Sequence, residues 1–128
     1  MRPRLLSTLL IVGALGLTSC GDPDAPGSGP ARDVDLEAIE YAFRSDDVIT
    51  IVAGDTISFN VRNAGQIDHQ LEVWTAENKV LGRTERIPPG ATRSVTVTFE
   101  EAGTYRVICD IDDHFSRGQQ ARFDVADA

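Results

Sequence analysis

Apolar residues recur at every second position along most of this chain. Ile39, Tyr41 and Phe43 alternate with polar or small neighbours, as do Ile49 with Ile51, then Ile57, Phe59 and Val61, then Leu71 and Val73. The same period holds for Val95, Val97 and Phe99, for Tyr105, Val107 and Cys109, and for Ala121, Phe123 and Val125. A period of two gives a strand one buried and one solvated face, so these runs predict β-strands. Turn signals stand between them: Ala53-Gly54-Asp55, Asn63-Ala64-Gly65, Pro88-Pro89-Gly90, Glu101-Ala102-Gly103 and Arg117-Gly118. Their close spacing is that of a sandwich or barrel, so the fold class is all-β. Beyond residue 33 no long 3.6-residue period is visible. The segment from Trp74 to Arg86 reads either as a strand around Lys79 to Leu81 or as a loop.

The first 34 residues follow a different pattern. Arg2 and Arg4 precede an apolar run from Leu5 to Leu17, and Leu17-Thr18-Ser19-Cys20 ends it with small residues ahead of a cysteine. This reads as a secretory signal, too short to be a spanning helix. The Leu-Thr-Ser-Cys sequence resembles the lipobox of bacterial lipoproteins. That resemblance implies that residues 1–20 are a lipoprotein signal peptide and that Cys20 becomes the acylated first residue, anchoring the protein at the bacterial cell membrane, facing the periplasm or cell exterior. Residues 21–34 are rich in Gly, Pro, Ser and Asp and too poor in apolar side chains to offset the entropy of folding. They read as a flexible linker with a reach of about 20 Å. Residues 35–126 are left for one small domain with one core.

The chemistry-bearing residues are few and fall together. The chain has two histidines, His69 after a strand and His114 in Cys109-Asp-Ile-Asp-Asp-His114, with Gln119 five residues further on. Taken singly, a free Cys on a strand is a small buried hydrophobe and a lone His a packing or surface group. Jointly, a strand–loop–strand unit brings both histidines beside the one thiol of the domain. A thiolate with two imidazoles and a weak axial fourth ligand is the donor set of a blue-copper electron-transfer site. With Cys20 consumed by lipid, Cys109 is unpaired in an oxidising compartment, and a metal that holds it as thiolate removes that liability. Zinc on Cys and two His is the other metal this donor set allows.

The residues around these positions carry a wider resemblance. Gly54-Asp55-Thr-Ile-Ser-Phe-Asn-Val-Arg-Asn63-Ala-Gly65 followed by His69, then Pro89-Gly90 before Thr96-Val-Thr-Phe99, Gly103-Thr-Tyr105 and Cys109, resemble the plastocyanin and azurin family of cupredoxins. The resemblance covers about Asp35 to Val125. It implies a Greek-key β-sandwich with one copper ion near one end, His69 as the amino-terminal ligand, and Cys109 and His114 as the pair on the loop between the last two strands. The family pattern His-x-x-x-Gly-Met is here His114-Phe-Ser-Arg-Gly118-Gln119. Gln119 thus takes the axial position, as in the glutamine-ligated stellacyanins, with Gln120 its rival. An amide oxygen is harder than a thioether and is expected to favour Cu(II) and lower the potential. The backbone N–H of Gln70 and the amides after Cys109 are the expected donors to the sulfur. Asn63 reads as a turn residue and Trp74 as a strand-end packing residue.

Charge sharpens the partner question. The chain carries 12 Lys+Arg against 20 Asp+Glu, a formal −8, and loss of residues 1–20 removes two arginines and no acid, leaving −10. Such a surface excludes nucleic acid and anionic lipid as partners and steers a basic redox protein toward it, a cationic cytochrome or a membrane oxidase. Asp110, Asp112 and Asp113 lie inside the ligand loop, either as a solvated acidic turn or as a docking feature. No spare histidine or nucleophile elbow is present for a hydrolytic enzyme. The expectation is a monomeric, non-enzymatic one-electron carrier; a copper-binding or copper-delivery lipoprotein and a cupredoxin-like accessory domain are the alternatives.

Overall fold

The computed structural model describes residues 29–128; the signal segment, Cys20 and most of the 21–34 linker lie outside the described residues. Among the described residues the chain forms β1 (Arg32–Ile39), β2 (Ala42–Arg44), β3 (Ile51–Val52), β4 (Thr56–Asn63), β5 (Glu72–Thr75), β6 (Val80–Arg83), β7 (Thr92–Thr98), β8 (Gly103–Ile108) and β9 (Gln120–Ala126). They make two sheets, β2-β1-β4-β7 and β3-β9-β8-β5-β6. The β1–β4 and β3–β9 pairs are parallel and the others antiparallel. The period-two runs explain the layering, since each sheet has an apolar face to bury and the other sheet covers it.

Val34, Ala38, Ile57, Phe59, Val61 and Val97 from one sheet meet Val73, Tyr105, Val107 and Val125 from the other. Phe99, fully buried, sits edge-on to Tyr105 at 4.9 Å and to Phe123 at 5.6 Å. Aromatic residues that large stabilise the core by about 1.5–3 kcal/mol each through burial alone.

Three local features depart from the sequence reading. Ile39, Tyr41 and Phe43 do not share one strand: the chain reverses at Glu40-Tyr41, with Tyr41 at φ 63°, and β2 pairs back on β1 with Glu37 opposite Arg44. Tyr41 is not a turn-former, and its left-handed backbone is held by tertiary contacts that no local pattern reports. Ile49 lies outside β3 and is 37% exposed, because β3 is a two-residue strand against β9. At the domain boundary, β1 begins at Arg32, within the segment expected as linker. Arg32 pairs there with Asp55 at 2.5 Å, and Val34 is buried. Of the two readings for Trp74 to Arg86, the strand is realised as β6. Its Gly82 lies where a Cβ would press on Val95 and Val97, so the chain has no side chain at the position that contacts β7.

One end of the sandwich is prepared by two connections. One leaves β4 at Asn63 and reaches His69, which pairs across an isolated bridge with Ile87. The other is the 109–119 loop from β8 to β9, closed by Cys109 N–H donating to Gln119 O at 3.1 Å.

Candidate metal centre

Each donor side chain is placed by a definite piece of backbone. Asn63 is more than a turn residue: it is fully buried, its Nδ2 donates to Ile67 O at 2.7 Å and Ile87 O at 2.8 Å, and its Oδ1 accepts from Gly65 N at 2.9 Å. The 63–69 turn is thereby locked, and His69 and Ile87 exchange backbone bonds of 3.0 and 2.7 Å. Cys109 follows β8 directly. The loop then winds through turns, His114 N–H to Ile111 O and Gln119 N–H to His114 O, both 3.0 Å, with Gly118 at φ 103° where a Cβ would strain the backbone.

These pieces bring His69, Cys109 and His114 into one group. One donor atom from each lies within 4.8 Å of the others, and all three residues are buried. Cys109 Sγ is 3.4 Å from His114 Nδ1, and the two imidazoles are 5.2 Å apart between centroids. Gln119 is fully buried beside His69, close enough to raise that ring's proton affinity. Gln120 is exposed at the start of β9.

Orientation of the Gln119 amide follows from its partners. Its Nε2 donates to Ile39 O at 3.0 Å and Ala42 O at 3.3 Å, two acceptors that only the NH₂ end can satisfy. Its Oε1 is buried without a hydrogen-bond partner, and so are both ring nitrogens of His69. Buried polar atoms are rarely left unpaired, and an unpaired oxygen and imidazole beside a thiol fit a metal that would complete them. A soft sulfur, two imidazoles and an amide oxygen are the donor chemistry of a type 1 copper site.

The electrostatics follow from burial. Burial pushes the Cys109 thiol up, Asp110 and Glu72 add to this, and backbone hydrogen bonds from Ile111 and Gln70 oppose it. Burial holds the His69 imidazole below its ordinary value, and His114 adds to that; Glu40, Gln119 and Asp68 act the other way. The metal-free protein is therefore expected to lose stability toward both acid and alkali. As pH falls through the ordinary histidine range, the unfolded chain takes up a proton that native His69 resists; as pH rises through the ordinary thiol range, the unfolded chain loses a proton that native Cys109 keeps. Thermal melting of the metal-free chain across pH checks this. A midpoint that climbs steadily from neutrality to about pH 5 would contradict it.

Outside the cluster, Asp110, Asp112 and Asp113 are all exposed, and Arg117 pairs with Asp113 at 2.6 Å, so part of the acidic loop charge is already matched. Trp74 is half-buried, its Nε1 donating at 2.8 Å to Glu72 Oε2, with Arg106 5.1 Å above its ring and Phe115 6.0 Å away. Sequence reasoning missed Glu40, Tyr41 and Glu72. Glu72 stands in a run where Leu71, Glu72 and Val73 are all buried, so the alternation that would set it facing solvent fails there. Glu40 and Tyr41 lie far from the site in sequence and carry no local signal.

A two-sheet Greek-key sandwich with this donor group at one end defines a cupredoxin. The family model of the cupredoxin-like domain matches residues 10–119, and the chain belongs to that family. The copper-resistant cuproprotein CopI of Vibrio cholerae serotype O1 is 25% identical over 126 residues, covering 84% of this chain and 73% of that protein. Among solved structures, the auracyanin of Roseiflexus castenholzii superposes with a TM-score of 0.64 at 18% identity, over 77% of this chain and 99% of its own. Auracyanin A of Chloroflexus aurantiacus, described as a blue copper protein, gives 0.61 at 19% identity, over 77% of this chain and all of its own. These likenesses agree with the sandwich described above.

Proposed function

We propose that this chain is a membrane-anchored, extracytoplasmic one-electron carrier, its copper held by His69, Cys109 and His114 with Gln119 as the weak axial ligand. The observation that carries the reading is the buried convergence of one thiol and two imidazoles beside an amide oxygen with no hydrogen-bond partner. The cofactor is copper, which when bound supplies a Cu(I)/Cu(II) couple. The soft sulfur suits Cu(I) and imidazole suits both states, so one donor set serves both. The chain's own part is to hold the donors still and dry. His69 is fixed by the Asn63 turn and the Ile87 bridge, and the other three by a loop closed between β8 and β9. Of the four side chains His114 alone has any exposure, 4%, so electrons cross at its rim beside Phe115 and Tyr41. A basic redox partner is steered there by the acidic chain.

Addition of one equivalent of Cu(II) to purified protein is the test. An intense thiolate-to-copper band toward the red end of the visible spectrum is expected; a protein that stays colourless overturns the reading. The anchor is tested separately, since full-length protein is expected to enter the detergent phase on phase partitioning and Cys20→Ser to leave it. Mature protein cleaved elsewhere, with a free amino terminus, overturns the anchor.

Kinship with a copper-resistant cuproprotein favours a second reading, copper binding or delivery without electron transfer. Rapid copper loss combined with slow electron self-exchange would select it over the carrier.

A further inference from the structure

The β1–β2 hairpin touches three of the four side chains of the cluster. The carbonyls of Ile39 and Ala42 hold the Gln119 amide, Tyr41 stands edge-on to His114 with ring centroids 5.4 Å apart, and Glu40 Oε1 lies 3.9 Å from His69 Nε2. We infer that Glu40 is a positioning residue for His69: its anchored carboxylate takes the Nε2–H and so presents Nδ1 as the metal-binding nitrogen. The inference rests on the copper site proposed above.

Glu40 is held in place from the His69 side. Its Oε1 accepts the backbone N–H groups of Gln66 at 2.5 Å and Ile67 at 3.2 Å, both in the turn that leads into His69. The carboxylate thus ties the hairpin tip to the segment that carries the first ligand. Gly65 makes room for it, since a Cβ there would collide with the carboxylate oxygens of Glu40. His69 Nε2 is buried with no hydrogen-bond partner, and Glu40 faces it. Histidines that bind a metal through one nitrogen donate the other N–H to a carboxylate, carbonyl or water, which fixes the tautomer and raises ligand basicity. The 3.9 Å separation lies beyond hydrogen-bond range, and a small rotation of the imidazole closes it. Glu40 itself is not among the residues whose donor atoms converge, so it acts on the imidazole and not on the metal.

Three variants of the full chain and one measurement without copper test this. Glu40→Ala is expected to weaken Cu(II) binding by about 10- to 100-fold. It removes a negative charge that favours the oxidised ion, so the potential is expected to rise by about one decade of relative affinity, roughly 59 mV. Glu40→Gln keeps an acceptor oxygen and is expected to recover part of the affinity. Gly65→Ala keeps the Glu40 charge but displaces the carboxylate, and is expected to shift affinity and potential in the same direction as Glu40→Ala. Nitrogen NMR of the metal-free wild type is expected to find His69 as the Nε2–H tautomer. An Nδ1–H tautomer overturns the inference, as does Glu40→Ala with wild-type affinity and potential, even if it melts earlier. Gly65→Ala without effect overturns the positional part. Wild-type protein that takes up no copper would instead defeat the copper reading, and the tautomer would still decide the role of Glu40.

Discussion

Cys109→Ala is expected to abolish the visible charge-transfer band and most of the copper affinity while leaving the β-sandwich folded. The band requires a thiolate on the metal, and the domain has no second cysteine to replace it. The fold survives for reasons visible at the site. Cys109 contributes its backbone N–H to Gln119 O, which alanine keeps, and it stands after β8 outside the apolar cluster that includes Phe99, Tyr105 and Val107, which is left intact. Only one buried sulfur atom is lost, with a cavity cost on the order of 1 kcal/mol. Removing the thiol also lifts the loss of stability across the ordinary thiol range in the metal-free chain, because that loss came from burial holding back the ionisation of Cys109 in the folded state. Absorption spectroscopy, copper competition and circular dichroism together check the result. An undiminished band in Cys109→Ala would take the sulfur out of the ligand set and bring down the copper assignment.

Strand positions were legible wherever burial alternates strictly. Ile57, Phe59 and Val61 in β4, and Tyr105 and Val107 in β8, fall on the inner faces as the period demands. The site was legible for a different reason, namely scarcity: with two histidines and one thiol in the domain, few other groupings exist. The family pattern singled out Gln119 over Gln120, and the structure buries the first and exposes the second. Long-range contacts around the site were not legible. Glu40 and Tyr41 sit in what reads as one alternating strand, because period two cannot distinguish a strand from a tight reversal whose geometry is held by His114 and Arg117. The start of β1 was hidden by Arg32-Asp33-Val34-Asp35, where one apolar residue in four gives no pattern, yet parallel pairing with β4 carries the strand back to Arg32. Glu72 was hidden by burial on both faces of β5, its charge met by the Trp74 indole and by Arg83 at 3.4 Å.

Gln119→Met is expected to raise the copper potential, and Gln120→Met to leave it nearly unchanged. In the present site the amide is turned by Ile39 O and Ala42 O so that its oxygen, the harder donor, is the free end. A thioether is softer and donates more weakly to Cu(II), so the exchange destabilises the oxidised state more than the reduced one. The relative affinity is expected to change by about one to three decades, each worth about 59 mV on a one-electron couple. Methionine is unbranched and flexible enough to occupy the cavity, but it leaves two carbonyls of the β1–β2 hairpin without their donor. That loss adds about 1–3 kcal/mol of destabilisation, seen in the melting of the metal-free chain as well as the loaded one. Potential and stability therefore move for separate reasons and can be read separately. A potential equal to wild type in Gln119→Met with a rise in Gln120→Met would move the axial role one residue along, against the burial of Gln119. No change in either would mean that neither amide reaches the copper, and that the free Gln119 oxygen has some other partner.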